Sequence, residues 1–320
     1  MKKSKLLLIP AVLALGSLAS CGGAKEVSLG LGYNAKYDAG KNQFAVDFAS
    51  VAFDAEGKVV DVMFDTIQVS HAVSTDGSAI EISSKKNDNG AKSKLELGTE
   101  YGMQGVSELG LEVDAQIENF AAYCVGKTVE EIASKNYVSH YNPTGTTTIE
   151  GCSISVGGYV AALQKAYSVK KDVVSYTGKA KVGLGVAGAA EAELSRGTYE
   201  TTVTFNASLV VKGKIVDSYS DCLVQLLTLT DGAIAAKTEG NKYLVNGVTT
   251  SKHDLGAAYA MAGKSPIGAE WDAQVLAFDA GIVGKTADEI ASITEETFEG
   301  CTIEVVDLVK AAIEAINYAK

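Results

Sequence analysis

Two short segments carry residue types that could hold a ligand. Residues 150–153 read Glu-Gly-Cys-Ser, and residues 299–302 read Glu-Gly-Cys-Thr. A glycine lets the backbone approach a bound group closely, and a hydroxyl group two residues later could bond to that group. The candidate binding residues are therefore Gly151, Cys152, Ser153, Gly300, Cys301 and Thr302. A turn followed by a buried cysteine and a strand Ser or Thr would give the same pattern, so both interpretations stay open.

The two segments belong to a duplicated sequence. Residues 93–133 and 251–291 align without a gap and are identical at 22 of 41 positions. A repeat of this length predicts that each copy is one structural unit. The 320 residues suffice for about two domains of roughly 150 residues each. We predict a first repeat at 29–168, a linker at 169–181 and a second repeat at 182–320.

The N-terminus resembles a bacterial lipoprotein signal. Three lysines among the first five residues precede an apolar stretch, residues 6–15, which is too short to span a bilayer. Residues 18–21 then read Leu-Ala-Ser-Cys, the pattern in which the cysteine is lipidated and becomes the new N-terminus. An ordinary signal peptide is the alternative. The prediction is a signal peptide at 1–20, lipid on Cys21, a tether at 21–28 and a location on the extracytoplasmic face of the cell membrane.

The charge of the chain disfavours one class of partner. The formal net charge is 28 − 39 = −11, and removal of residues 1–20, which hold three lysines and no acid, gives 25 − 39 = −14. A negative surface repels phosphate backbones, so nucleic acid is not an expected partner. No second apolar run of about 18 residues follows the signal, so membrane attachment would rest on the lipid alone.

Other common site types find little support in the sequence. The histidines His71, His140 and His253 lack the spacing of metal ligands, so we predict single surface residues and no metal. The four cysteines beyond residue 21 are too few for a disulfide scaffold, and we predict buried thiols, with a Cys124–Cys152 bridge as the alternative. No paired nucleophile and base is evident, so electron transfer or binding is favoured over catalysis.

Strand signals come first in each repeat. Residues 43–64 read as two strands joined by a turn at Gly57, and residues 199–217 repeat this pair around Gly213. Less regular third strands are predicted near 78–84 and 234–238.

Helical signals follow the strands. Apolar residues recur at i, i+4, i+7 and i+11 from Val113 and again from Trp271, which predicts a helix in each repeat. A glycine ends each helix, and a Thr-x-x-Glu capping box starts the next one. Residues 151–156 and 300–305 are predicted as short strands before a last helix. Strands grouped ahead of helices predict an α+β fold with two tandem homologous domains, each an antiparallel sheet with helices packed on it.

The order of these parts resembles the FMN-binding domain family, which occurs in flavin-carrying subunits of ion-pumping redox complexes and in lipoproteins of extracellular electron transfer. The resemblance would cover each repeat almost whole. It rests on Gly-Lys-(Val/Ile)-Val-Asp at 57–61 and 213–217, Leu-Gly-x-x-Tyr-x-Met at 97–103 and 255–261, and Val-Gly-Lys-Thr at 125–128 and 283–286.

The resemblance implies an FMN carried on a hydroxyl group in the second repeat. In that family a Ser-Gly-Ala-Thr motif holds FMN, which a separate flavin transferase joins through its phosphate to the Thr hydroxyl. Carried over, the acceptor is Thr302, with Gly300 and Cys301 in the Gly-Ala places. Glu296 stands where the family has an Asp, and Glu299 replaces the Ser.

The same correspondence applies to the first repeat. The acceptor there is Ser153, after Gly151 and Cys152, and Thr147 stands at the position of the acid. A flavin ring needs an apolar slot, and the protein need supply little acid or base. The slot residues suggested by the resemblance are Tyr101, Met103, Tyr259, Met261 and Trp271; ordinary core packing is the alternative for them.

Two functional hypotheses follow. The first is a membrane-anchored, extracytoplasmic FMN-binding lipoprotein that carries electrons, with redox proteins and a flavin transferase as partners. The alternative is a flavin-free surface lipoprotein whose tandem domains bind a protein or a small molecule.

Overall fold

The computed structural model describes residues 23–83, 92–189, 192–195, 197–294 and 297–319. It confirms the predicted α+β class, because antiparallel sheets carry helices packed against them. The predicted signal peptide, its Cys21 and the predicted site residue Glu296 lie outside the described residues.

The first half of the chain builds a five-stranded antiparallel sheet in the order β4-β3-β2-β1-β5. The hairpin predicted at Gly57 joins its second and third strands, with φ of 76° at the glycine. The last strand lies inside the predicted linker, and the first begins inside the predicted tether. The strands are β1 (Lys25–Asp38), β2 (Gln43–Phe53), β3 (Val59–Val73), β4 (Ile80–Ile82) and β5 (Val173–Tyr176).

The second half builds a matching antiparallel sheet in the order β10-β9-β8-β6, with β7 beside β8. Lys212 and Gly213 turn its main hairpin with φ of 52° and 75°, as a type I′ turn requires. The predicted hairpins and third strands are confirmed in both halves. The strands are β6 (Ala180–Ala187), β7 (Glu193–Ser195), β8 (Thr198–Val211), β9 (Lys214–Thr230) and β10 (Ala233–Ala236), followed by a small hairpin of β11 (Leu244–Val245) and β12 (Val248–Thr249).

The helices follow each sheet in the same order. In the first half they are α1 (Lys94–Leu97), α2 (Val113–Cys124), α3 (Val129–Ala133) and α4 (Gly157–Ser168). In the second half they are α5 (Lys252–Leu255), α6 (Trp271–Ile282), α7 (Ala287–Ile290) and α8 (Val306–Tyr318). The predicted capping boxes at Thr128 and Thr286 are confirmed, with both reciprocal hydrogen bonds present. No helix among the described residues is long and apolar enough to cross a membrane.

The short strands predicted at 151–156 and 300–305 are wrong. These segments are irregular, although burial alternates along 301–305 as it would in a strand. The reason is that the N–H groups of Ser153 and Thr302 donate to glutamine side chains rather than to a neighbouring strand. Alternating burial here reflects an extended segment lying on the core.

The molecule has four layers, with the two sheets back to back and helices outside. Side chains from the inner faces of both sheets form one apolar cluster, in which the rings of Phe48 and Phe205 lie 4.8 Å apart. Helices α2 and α4 cover the outer face of the first sheet, and α6 and α8 cover that of the second. The central strands are therefore buried on both faces.

Polar contacts also join the halves. His71, predicted as a surface residue, is instead buried, with its Nε2 2.8 Å from Thr201 Oγ1. Burial lowers the pKa of its imidazole. Lys165 on α4 forms an ion pair of 2.8 Å with Asp254 on α5.

Two glycines let each outer helix approach its sheet. A Cβ atom on Gly32 or Gly185 would overlap the carbonyl oxygen of Ala162 or Ala311 in the covering helix.

We expect Gly32→Ala to lower the free energy of unfolding by at least about 1 kcal/mol, because overpacking a core usually costs about 1–3 kcal/mol. Urea denaturation measures the change. Gly157→Ala, whose Cβ would meet open space, is the control. Equal stability of the two variants would contradict this account.

Candidate ligand site

The predicted Gly-Cys-(Ser/Thr) segments form equivalent turns. Gly151 and Gly300 adopt φ of 70° and 87°, a region that favours glycine. The following cysteine is buried in both copies, whereas Ser153 is half-buried and Thr302 is exposed. The structure thus brings each predicted hydroxyl residue to the surface end of a core-anchored turn. Thr147 is half-buried and Glu299 exposed.

A buried glutamine holds each hydroxyl group. Gln116 Oε1 accepts from the N–H and the Oγ of Ser153, at 2.9 and 3.1 Å. Gln274 Oε1 accepts from the N–H and the Oγ1 of Thr302, at 2.8 and 2.9 Å. Both glutamines are 0% exposed. The hydroxyl is therefore positioned by a side chain of helix α2 or α6.

The side-chain amide nitrogen of each glutamine fixes a loop that starts at a methionine. This methionine loop runs from Met103 to Leu111 in the first half and from Met261 to Ala269 in the second. Gln116 Nε2 lies 3.5 Å from Met103 Sδ and donates to Leu111 O at 3.2 Å. Gln274 makes the corresponding contacts, with 3.6 Å to Met261 Sδ and 3.1 Å to Ala269 O. One amide thus ties the methionine loop to the hydroxyl turn in each half.

The acids that open these helices hold the same loop. Glu112 accepts from the N–H groups of Met103 and Gln104, and Glu270 accepts from those of Met261 and Ala262. Each glutamate is also the N-cap residue of its helix. An acid at this end of a helix also complements the helix dipole.

A cavity of about 430 Å³ opens beside Ser153 in the first half. It collects three residues singled out in the sequence, Tyr101, Met103 and Ser153, and adds Lys94 and Tyr159. Its volume falls in the range of about 300–1,000 Å³ usual for ligand sites. The Lys94 ammonium lies 5.4 Å from the centre of the Tyr101 ring. Burial lowers the pKa of Lys94, while Asp47 and Asp65 favour its charged form.

Apolar side chains are exposed at the mouth of this cavity. Val106 and Tyr141 line it and are 84% and 85% exposed. Ser153 also borders a second hollow of about 350 Å³, which reaches Gly151 and Cys152 on the far side of the turn. Ser153 thus lies between two hollows.

The second half arranges its aromatic residues differently. The Tyr243 ring packs against Tyr259 at 6.1 Å, and Lys242 Nζ lies 3.8 Å from the centre of the Tyr259 ring. Trp271 is 4% exposed and belongs to the same core cluster as Tyr243. Met261 and Tyr259 are packed against this cluster. The chain's own Tyr243 thus lies on residues that the resemblance places around a flavin.

An aspartate buried in each sheet anchors the Ser-Lys segment that follows the sheet, at 93–94 in the first half and at 251–252 in the second. Asp65 accepts from Leu95 N at 3.1 Å, and Asp221 accepts from His253 N at 3.1 Å. Burial raises the pKa of both carboxyl groups to about 7. The sequence analysis missed these aspartates and the two glutamines as site-forming residues. Their recurrence at matching positions of both halves was the signal that could have identified them.

The cysteines are buried thiols, as predicted. They are Cys124, Cys152, Cys222 and Cys301, and the alternative Cys124–Cys152 bridge is not formed. Burial raises the pKa of Cys124 to about 12 and that of Cys152 to about 11, so both stay protonated at neutral pH. Among the described residues no cluster of His, Cys, Asp and Glu could hold a metal ion.

Comparison with known proteins gives no relative for this chain. No family model, no curated protein and no solved structure matches it. The function must therefore be argued from the site itself.

Removal of a glutamine clamp should destabilise the fold. Gln116→Leu leaves the Ser153 N–H without its partner, and each unmade buried hydrogen bond costs about 1–3 kcal/mol. We expect the free energy of unfolding, measured in urea, to fall by at least about 2 kcal/mol, and Gln274→Leu to behave alike. The exposed Gln164→Leu is the control and should change stability by less than about 0.5 kcal/mol. A Gln116→Leu variant as stable as this control would refute the clamp.

The buried aspartates should make stability depend on pH. Their folded-state pKa of about 7 exceeds the ordinary 3.8, so the folded protein keeps protons that the unfolded chain releases. Their contribution to stability is therefore fully present below about pH 4 and is lost as the pH rises through about 7. Asp65→Asn mimics the protonated carboxyl group. We expect it to reduce the loss of unfolding free energy between about pH 5 and 8 by about 1 kcal/mol or more, since one pKa unit is worth about 1.4 kcal/mol.

Urea unfolding across this pH range tests the prediction, with the exposed Asp172→Asn as the control. An Asp65→Asn variant that loses as much stability as the wild type over the same range would show that Asp65 does not carry the dependence.

Proposed function

We propose that this protein is a membrane-anchored, extracytoplasmic lipoprotein that binds FMN in its first half and carries electrons. The observation that supports the proposal is the cavity beside Ser153, since it gathers Tyr101, Met103 and the hydroxyl turn on one surface. These residues come from two separate parts of the resemblance to the FMN-binding domain family, the Leu-Gly-x-x-Tyr-x-Met motif and the hydroxyl turn. The anchor is the lipid predicted on Cys21.

The chemistry of the cavity suits a flavin. Aromatic and apolar side chains, Tyr101, Met103 and Ile154, offer contacts for a flat ring, and Ser155 and Gln68 offer hydrogen bonds at its polar edge. The Lys94 ammonium supplies a positive charge for an anionic group. A bound flavin would supply the redox chemistry, while the protein binds it, orients it and limits access of water.

We place the proposed flavin in the first half because the two halves differ at the ring slot. In the second half Tyr243 packs on Tyr259, and Lys242 lies over the same ring. The Thr302 residue is nevertheless exposed, which suits attachment by an enzyme, because a transferase must reach its acceptor. Covalent attachment is therefore tested at both hydroxyl groups.

The binding test fills the cavity with a bulky side chain. We expect Ser155→Trp to weaken FMN binding at least tenfold, about 1.4 kcal/mol, because the indole would occupy the ring slot. Glu304→Trp, at the matching exposed position of the second half, should leave binding unchanged. Quenching of FMN fluorescence on titration with each protein gives the dissociation constants. Equal weakening by both variants would contradict a site in the first half.

The spectrum of the protein gives the broader test. The chain without its signal peptide is co-expressed with a flavin transferase, and its absorbance is recorded before and after acid precipitation. A flavin band that stays with the pellet means covalent attachment, which Ser153→Ala and Thr302→Ala would locate, and a band released to the supernatant means non-covalent binding. If no band appears even with FMN added, the proposal fails, and a flavin-free lipoprotein that binds a partner becomes the better explanation.

A further inference from the structure

A second cavity lies between the two halves and shares no lining residue with the cavity beside Ser153. It has a volume of about 560 Å³ and opens between β3 and α2 of the first half and β6 and the end of α8. Leu95, Ala121 and Val125 form its accessible apolar lining, with Phe64 and Ile117 buried behind them. Its polar lining comprises three carboxylates, Asp61, Asp114 and Glu118, and one ammonium group, that of Lys181.

The register of the strands defines the position in the second half that matches Asp61 in the first. Val62 pairs with Val51, which pairs with Gly30, and Ser218 pairs with Ser208, which pairs with Gly183. Gly30 and Gly183 are the glycines that contact α4 and α8. Asp61, just before Val62, therefore corresponds to Asp217, just before Ser218.

A lysine ammonium occupies this matching place. Lys171 Nζ lies 2.5 Å from Asp217 Oδ1 and donates to Ser218 O at 2.7 Å. Lys171 follows the end of α4 and reaches over the second sheet, just as the end of α8 with Tyr318 reaches the cavity of the first. The molecule itself thus shows that this position, with a carboxylate on the strand, accepts a primary ammonium group.

The residues around Asp61 and those around Asp217 differ in polarity. In the second half Ser218, Ser220 and Asp279 stand where the first half has Val62, Phe64 and Ala121. The buried Asp279 carboxylate accepts from Ser218 Oγ at 2.9 Å and from Ser220 Oγ at 2.7 Å. The first half offers an apolar surface instead, so an occupant there can bury an apolar body as well as bind through its charge.

We propose that the cavity between the halves binds a primary amine that carries an apolar body, such as an arylalkylamine. Its ammonium group lies against Asp61 and the carboxylates of Asp114 and Glu118, and its apolar body lies on Leu95, Ala121 and Val125. Lys181 Nζ is 3.7 Å from Asp61, so one positive charge faces three negative ones before the ligand enters. Charge-assisted hydrogen bonds and apolar burial both favour such a ligand.

The ammonium group has two possible sources. One is a free amine, and the other is the side chain of Lys320, which holds the place in the sequence after α8 that Lys171 holds after α4. Lys320→Ala separates the two sources. If a free amine is the ligand, wild type and Lys320→Ala bind it equally. If Lys320 is the occupant, the variant binds the amine at least tenfold more tightly than the wild type.

The experiment is calorimetric titration of the full mature chain with 2-phenylethylamine and with its neutral analogue 2-phenylethanol. We expect the amine to bind at least tenfold more tightly than the alcohol, and Asp61→Asn to remove most of that difference. The double variant Asp114→Asn/Glu118→Gln provides a second reading if Asp61→Asn does not fold. Asp272→Asn, which stands in the second half where Asp114 stands in the first, is the matched control and should bind like the wild type.

Two results would overturn the proposal. One is that neither the wild type nor Lys320→Ala prefers the amine over the alcohol. The other is that the preference survives both Asp61→Asn and the double variant. Neither result bears on FMN, because the two cavities share no lining residue.

Discussion

Contact between the two sheets is the constraint on which the rest of the structure depends. The inner faces meet through rings such as Phe48 and Phe205, while helices cover both outer faces. Antiparallel sheets commonly leave one face to water, but here β2 and β8 are buried on both sides. A ligand therefore reaches a sheet only where a cavity opens beside a strand, as it does at β3. Binding is left to the loops at the ends of the helices, where the cavity beside Ser153 lies, and to the cleft between the halves, where the cavity beside Asp61 lies.

The site geometry follows from how each half connects its sheet to these loops. Asp65 on β3 holds the start of α1, and Gln116 on α2 holds the hydroxyl turn together with the methionine loop. Each link is a buried side chain that bonds to backbone groups, which fixes the loop without a strand pair. Each of these hydrogen bonds, if left unmade, would cost about 1–3 kcal/mol, so the buried side chains are well suited to keep irregular segments in place.

The sequence predicted the elements that obey a period or a local rule. The β2–β3 hairpin, the capping box at Thr128 and the glycine that ends α2 are local, and the structure confirms them. An alternation of apolar residues with small or polar ones predicts a strand at 151–156, but it does not reveal whether a neighbouring strand exists, and the segment is irregular. That information lies in Gln116, which is distant in sequence. A local pattern likewise cannot predict contacts between the halves, such as that of His71 with Thr201.

The candidate site was predicted only in part for the same reason. The sequence identified Tyr101, Met103 and Ser153, but not that Lys94 and Tyr159 complete their cavity, because these residues meet only when β3, α1 and α4 pack together. Comparison of these residues with those at the matching positions of the second half shows what the repeated sequence can and cannot predict. Framework residues recur by identity, as Gln116 and Gln274 do, because the fold requires the same bonds twice.

Residues around the cavities differ between the copies, because the fold places no such requirement on them. The hydroxyl of Thr66 bonds to Asp47 and lies 2.7 Å from the phenol oxygen of Tyr159. Strand register and helix alignment place Thr204, Cys222 and Leu308 at the matching positions, where Leu308 has no hydroxyl group to join such a network. The contacts between the halves differ as well. Lys165 on α4 pairs with Asp254, whereas Glu314 stands at the matching position of α8, where burial and the nearby Glu96 raise its pKa to about 8. The two halves thus keep the same framework bonds while the side chains at the matching positions differ, which is why a ligand proposed for one place is not expected at the matching place in the other half.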